Sequence, residues 1–324
     1  MPDITLVEAV TMALAYELEQ DENIVVFGED VGKNGGVFRA TAGLQERFGE
    51  RRVFDSPLAE SMIAGLAVGM SLQGLKPVAE FQFMGFIYPA MNQIISHAAR
   101  MRNRTRGRLN CPLVFRAPFG GGIRAPEHHS ESTEALFAHV PGLQVVIPSS
   151  PKRAYGLLLA AMRNPDPVIF LEPKRIYRLV KQPVADDGIA LPLGQCFTLQ
   201  EGEDVTLISW GASMHETMQA AKQLTEEGIA CDVIDVATIK PLDIETILSS
   251  VEKTGRCVIV HEGAKTCGVG AEISAQIMEN CMSDLLAPVQ RVTGYDIVMP
   301  YFQLEKHYLP SVARIKASVM SLME

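Results

Sequence analysis

The chain has 324 residues, 47% hydrophobic and 21% charged, enough for two domains that each bury a core. That balance excludes intrinsic disorder, and no apolar run reaches the roughly 18–20 residues of a membrane span. The net charge of −9 is uneven: residues 1–185 carry 20 Lys+Arg against 18 Asp+Glu, whereas residues 186–324 carry 9 against 20.

Thr5 with Glu8 spells a capping box opening a helix over residues 6–19. Strands are then expected at 24–27, 53–54, 78–81, 113–116, 144–147 and 168–171, with helices at 58–72, 88–101 and 152–162. These strands are short, apolar on both faces, and end in Gly, Pro or Ser, as in parallel sheets covered on both sides. The alternation predicts a doubly wound α/β domain. Residues 181–194, with two prolines, two glycines and no periodicity, read as a linker. A second series follows, with strands at 205–209, 231–236, 257–260 and 290–293 and helices at 214–226, 244–251, 271–279 and 312–320. Ser213 with Glu216 spells a second capping box. The division is therefore into residues 1–185 and 186–324.

Six scattered cysteines without a C-x-x-C read as reduced thiols, not as a disulfide frame or a zinc site. The amino terminus lacks the basic-then-apolar order of a secretory signal, so a cytoplasmic protein without a targeting segment is expected. The acidic second half fits a basic partner or simple solubility, and it argues against nucleic acid. Arginines at 100, 102, 104, 106 and 108 spread round a helix rather than forming a phosphate-facing stripe.

Ordinary hydrolase and kinase signatures are missing, and so is a phosphate-binding P-loop. Gly268-Val-Gly270 approaches a dinucleotide fingerprint, but Ile273 fills its third small position. Ligands of parallel α/β sheets bind beyond the carboxyl ends of strands. Glu29, Glu60 and residues 80–82 all fall at such ends and outline a pocket. Glu60 opens a helix whose Gly65 and Gly69 share one face, as for close approach of a neighbouring backbone. The glycine loop from Gly120 ends in His128 and His129, of which at most one acts, because adjacent side chains diverge.

Taken together, several motifs carry a resemblance. Gly28-Glu-Asp-Val31, Ser56-Pro-Leu-Ala-Glu60, Ala79-Glu-Phe-Gln82, His129-Ser-Glu-Ser132, Phe170-Leu-Glu-Pro173 and Arg291-Val-Thr-Gly-Tyr-Asp296 stand in this order over the whole chain. The chain resembles the β subunit of thiamine-diphosphate-dependent 2-oxo acid dehydrogenases, the decarboxylating component of the pyruvate and branched-chain complexes. The resemblance implies a pyrimidine-binding domain followed by a transketolase C-terminal-like domain. It implies that Glu60 bonds the aminopyrimidine of thiamine diphosphate and promotes the imino form, which takes a proton from the thiazolium carbon. Glu29, Leu58, Gln82 and Phe86 match positions around the same ring, and His129 matches a histidine that orients the lipoyl group and donates a proton. Leu113, Ala161, Asn164 and Asp166 match positions holding potassium, with Asn164 standing where some relatives have aspartate.

No Gly-Asp-Gly, the motif with which the wider thiamine family holds magnesium, occurs in the chain. The resemblance implies that an α subunit supplies that motif and the magnesium, in an α₂β₂ heterotetramer. The acidic second domain fits docking onto the peripheral-subunit-binding domain of the lipoyl acyltransferase core. Pyruvate is the favoured substrate, with branched-chain 2-oxo acids and acetoin as alternatives, and a bacterial or archaeal cytoplasm is the implied setting. A non-catalytic scaffold subunit of the same fold is the competing class.

Overall fold

In the computed structural model, residues 3–324 are described, and they divide into two units. The first comprises residues up to Phe119 together with Leu136–Leu193; the second comprises Gly120–Ala135 and Gly194–Glu324.

The first unit begins with β1 (Asp3–Ile4) and α1 (Leu6–Gln20), the latter opened by the reciprocal Thr5–Glu8 capping box. Then come β2 (Ile24–Gly28), α2 (Leu44–Phe48), β3 (Val53–Asp55), α3 (Glu60–Leu72) and β4 (Lys76–Glu80). After α4 (Met101–Arg104) and β5 (Val114–Phe119), α5 (Glu134–Ala138) begins in the second unit and ends in the first, which then closes through β6 (Gln144–Val146), α6 (Pro151–Arg163), β7 (Val168–Pro173) and β8 (Gln182–Pro183). Six parallel strands run in the order β6-β7-β5-β4-β2-β3. β2, β5 and β7 are buried along their whole length, which is why they are mostly apolar on both faces. The chain leaves β2 toward β3 on one side and reaches β4 on the other. The topological switch point therefore lies between the carboxyl ends of β2 and β4.

Several details differ from expectation. The helix expected over 88–101 is a 3₁₀ turn (Tyr88–Ala90), a π-helical segment (Gln93–Ala98) and the short α4. Pro89 restricts its start, and the Ala99 N–H reaches back five residues to the Ile94 carbonyl at 3.0 Å. All five arginines of the basic run are exposed. Within this chain no backbone approaches the Gly65–Gly69 face: a Cβ on Gly65 would touch only Gln93, and one on Gly69 would touch nothing within 4 Å. Residues after 181 are not a free tether, since β8 pairs antiparallel with β1 and the Leu191 N–H bonds the Gly156 carbonyl at 2.9 Å.

The second unit continues with β9 (Phe197–Gln200), β10 (Val205–Ser209), α7 (Ser213–Glu226), β11 (Cys231–Asp235), β12 (Thr238–Lys240), α8 (Ile244–Thr254) and β13 (Cys257–Val260). It ends with α9 (Val269–Cys281), β14 (Gln290–Val292), α10 (Phe302–Tyr308) and α11 (Val312–Met323). Its sheet runs β14-β13-β10-β11-β9, parallel except for the edge strand β9. α7 and α11 cover one apolar cluster built on Val205, Leu207, Val233 and Val258. The second capping box does not form. Ala212 is the N-cap, without a side-chain bond, and Ser213 is already helical and buried with no partner for its hydroxyl. Four cysteines are buried, Cys196 is half-buried and Cys267 is exposed; all six are free thiols.

Gly268-Val-Gly270 serves packing. The imidazole of His261 is fully buried and stacked on Trp210, with centroids 5.0 Å apart and planes 10° apart. A Cβ on Gly270 would lie 2.7 Å from His261 Nε2, and one on Gly268 would lie 2.9 Å from its Cε1. Gly270→Ala near the start of α9 gains at most about 1 kcal/mol of helix propensity. It forces strain on a ring that cannot move, at a cost of about 1–3 kcal/mol. Net destabilisation of the second unit is expected, read as a lower denaturant midpoint; an unchanged midpoint would show that the stack yields.

Candidate active site

In the first unit, the loop after β2 and the segment from β3 into α3 are tied together. The Ser56 N–H donates to the Gly28 carbonyl at 2.8 Å, and the Gly32 N–H donates to Asp55 Oδ1 at 2.7 Å. Glu60, half-buried, is the first residue of α3, whose N-cap Ala59 offers no side-chain bond. Glu29 is buried just past β2, and burial first, then the charges of Glu60 and Asp30, raise its carboxyl above the usual range. The Glu29 and Glu60 carboxyls are thus close enough at the switch point for the charge of one to raise the other. Gln82 lies past β4 and donates to Asp30 Oδ2 at 3.1 Å. Phe86 sits on the next turn, edge-on to Phe83 at 5.3 Å. Leu58 is 78% exposed beside them, and the buried Ser56 hydroxyl has no partner. An exposed leucine, an unpaired hydroxyl, an aromatic ring and a carboxyl raised above its usual range suit a flat, partly apolar heterocycle with ring nitrogens.

Glu80, expected in this pocket, is instead committed to the sheet. It is buried and accepts from Arg116 at 2.8 Å; Arg116 also pairs with Glu172 at 2.6 Å, and the Tyr177 hydroxyl donates to Glu172 at 2.6 Å. Arg116, Glu172 and Tyr177 went unseen in the sequence.

The expected potassium positions lie together near the end of α6 and the starts of β5 and β7. The Leu113 carbonyl accepts from Val168 N–H at 3.0 Å, and the Ala161 carbonyl accepts from Asn164 N–H at 3.2 Å. Asn164 Oδ1 takes the Asp166 N–H at 2.9 Å, and Asp166 pairs with Arg102 at 2.7 Å. The two carbonyls each keep a second lone pair. Among the described residues, no group of three or more His, Cys, Asp or Glu side chains is arranged to hold a metal.

In the second unit, His128 is exposed and His129 half-buried on a 3₁₀ turn (Glu127–His129) at the end of the glycine loop. The neck of that loop is closed by the Gly120 N–H to the Glu131 carbonyl at 2.9 Å. Its amides wrap two carboxylates. The Gly121 N–H and, at 2.8 Å, the Ser132 hydroxyl donate to Glu262. The Gly122 N–H at 2.7 Å and the Arg124 N–H at 3.2 Å donate to Glu305. A Cβ on Gly120, which has φ +83°, would stand 2.8 Å from Glu262 Oε1. Gly120 therefore admits the chain's own Glu262 carboxylate. Glu262 follows the apolar strand β13 directly, so the strand-end rule that singled out Glu29 also reaches it. Beside the loop lies a cavity of about 590 Å³ lined by Ser130, Ser132, Thr266, Asp296, Val298 and Tyr308, among others.

Glu134, in the same unit, is buried; its Oε1 takes the Trp210 indole N–H at 3.3 Å and its Oε2 has no partner. Burial, with a smaller push from Glu262, moves its carboxyl from the ordinary 4.5 up to about 8. The folded chain holds a proton that the unfolded chain has released. Its contribution to stability is therefore full below about 4.5 and is lost as pH rises through about 8. Glu134→Gln keeps the neutral form, so it is expected to flatten that fall. Denaturant midpoints across the window test this, and parallel profiles for the two proteins would assign the titration elsewhere.

Comparison with known proteins adds to this geometry. Residues 3–180 match the transketolase pyrimidine-binding domain, and residues 194–315 match the transketolase C-terminal domain. The chain is 51% identical over 322 residues to the pyruvate dehydrogenase E1 component subunit beta of Acholeplasma laidlawii, covering 99% of this chain and 98% of the relative. It is 48% identical to the same subunit of Bacillus subtilis and 46% identical to the 2-oxoisovalerate dehydrogenase subunit beta of that organism, each over the full length of both proteins. A solved split-gene transketolase, described as an inactive β4 tetramer, matches with a TM-score of 0.82 at 25% identity, covering 99% of each chain. No helix among the described residues is long and apolar enough to cross a membrane. The chain belongs to the transketolase-like β subunits of 2-oxo acid dehydrogenase E1 components.

Proposed function

We propose that this chain is the β half of a pyruvate dehydrogenase E1 component, completed by an α subunit in an α₂β₂ assembly and working in a bacterial cytoplasm. The observation that carries the reading is the Glu29–Glu60 pair at the switch point, in a chain 44–51% identical to E1 β subunits named for pyruvate. Thiamine diphosphate, when bound, supplies the electron sink for loss of carbon dioxide from a 2-oxo acid. Glu60 bonds the pyrimidine ring nitrogen and sets its tautomer, and Glu29 lines the same ring. Leu58, Gln82 and Phe86 fix the ring in place. His129 orients the lipoyl group of the acyltransferase core and donates a proton as the acyl group is transferred.

Magnesium belongs to the α subunit in this reading, since the chain has no Gly-Asp-Gly. The free lone pairs of the Leu113 and Ala161 carbonyls, with Asn164 and Asp166, form the potassium position. The acidic residues of 186–324 form the docking face for the basic peripheral-subunit-binding domain of the acyltransferase.

Calorimetric titration of thiamine diphosphate with magnesium, into the chain alone and into its complex with the α subunit, tests the shared site. Tight binding only in the complex is expected; tight binding by the chain alone would overturn the division. The 46% identity to a 2-oxoisovalerate dehydrogenase subunit favours a second reading, for branched-chain substrates. Comparing kcat/KM for pyruvate and 2-oxoisovalerate separates the two.

A further inference from the structure

Amides of the glycine loop that leads to His129 are bonded by carboxylates that arrive much later in the chain. We propose that Glu262 and Glu305 are positioning residues for His129: they gather the amides of residues 121–124 and the Ser132 hydroxyl, and so set the shape of the loop from which His129 projects. The proposal rests on the reading of His129 as the residue acting at the lipoyl stage.

Glu262 bridges both ends of the loop, taking Gly121 N–H at one and Ser132 Oγ at the other on a single oxygen. Glu305 holds the next stretch through Gly122 and Arg124. Both carboxylates are buried, at 4% and 6% exposure, and backbone amides bonded to a buried carboxylate exchange that bond for nothing of equal strength if it is removed. From Arg124 the chain runs to the Glu127–His129 turn, where the His129 N–H caps back to Pro126 at 3.0 Å and the Ser130 hydroxyl bonds the same carbonyl at 3.1 Å. Ser130 is itself buried. The turn is thus seated between the clamped amides on one side and the Glu262-bound Ser132 on the other. A loop of three successive glycines has no stiffness of its own, so its shape comes from these bonds.

The test uses the holoenzyme assembled with its α subunit, thiamine diphosphate and magnesium. Two rates are read with one 2-oxo acid: reduction of ferricyanide, which bypasses the lipoyl group, and acylation of a purified lipoyl domain. Displacing a reacting group by about 1 Å can cost on the order of 100-fold. Glu262→Ala is accordingly expected to lower acylation about 10- to 100-fold more than it lowers ferricyanide reduction. Glu262→Gln, which keeps one acceptor oxygen for both donors, is expected to restore most of that loss. The double variant Glu262→Ala with His129→Ala is expected to be no slower in acylation than His129→Ala alone, as for two residues acting through one.

Equal losses in both assays, no loss, or additive losses in the double variant would overturn the clamp. If His129→Ala itself shows no preferential loss of acylation, the His129 reading falls. If it shows that loss and Glu262→Ala does not, only the clamp falls. Should Glu262→Ala fail to assemble, Glu305→Ala, altering the short α10 instead, is read by the same two rates and decides the question.

Discussion

Replacing Glu60 by glutamine is expected to lower turnover of the assembled enzyme by about 10²- to 10⁴-fold, the range lost with a positioned acid–base group. The substitution keeps the size of a half-buried side chain at the first position of α3. What it removes structurally is one negative charge at a helix start, worth about 0.3–1 kcal/mol, so the fold is expected to persist. It also removes one of the two charges that raise the Glu29 carboxyl, so that group is expected to titrate lower. The measurement is kcat in the α-subunit complex together with thermal denaturation of the same sample. Full activity in a folded variant would refute the assignment of Glu60 and, with it, the account of the crevice.

The largest effect on stability is expected at Arg116→Met. Arg116 lies within β5 at 1% exposure and satisfies Glu80 on the β4 side and Glu172 on the β7 side, with Tyr177 bonded to Glu172 in turn. Burial raises the Glu80 carboxyl, and Arg116 opposes that rise. Without the guanidinium, two carboxyl groups remain in the interior with no cation. Breaking a buried ion pair from one side costs about 3–5 kcal/mol, a large fraction of the stability of an ordinary domain. Removing the whole set together is a different matter, because an apolar replacement of similar volume is often neutral. Arg116→Met combined with Glu80→Leu, Glu172→Leu and Tyr177→Phe is therefore expected to recover most of the loss. Denaturant midpoints of the two variants and the wild type test this; a mild loss in Arg116→Met would mean that the network is hydrated.

The same strand shows where sequence reading stops. Expected over 113–116, it runs from Val114 to Phe119; the apolar run gives out at Arg116, whose partners lie on the adjacent strands, 36 and 56 residues away in the chain. Apolar periodicity found the strands that are covered on both faces, such as β2 and β10. It did not find β9, an edge strand whose Phe-Thr-Leu-Gln is mostly outside, nor α10, where only Glu305 and Tyr308 are buried. Of the candidate site, the strand-end carboxylates Glu29 and Glu60 were legible because their position follows from local sequence and a general rule of α/β sheets. Glu80 misled that rule, since its position is right but its side chain serves Arg116. The carboxylates around the glycine loop were hidden for another reason: their partners are amides, which every residue has and no composition reveals.

The span between the glycine loop and its carboxylates bears on how the chain matures during synthesis. Gly122 and Glu305 are separated by 183 residues. At about 5–20 residues per second, a ribosome takes about 10–40 s to cover that distance. Glu262, 141 residues after Gly121, supplies the first anchor only late in that interval and Glu305 supplies the second at its end, while β2 to β5 are already available to pair. The segment bearing His129 is thus among the last parts of the newborn protein to take its final shape. A chain cut short before α10 would display a nearly finished first half and an unset loop, a natural point for quality control to recognise an incomplete product.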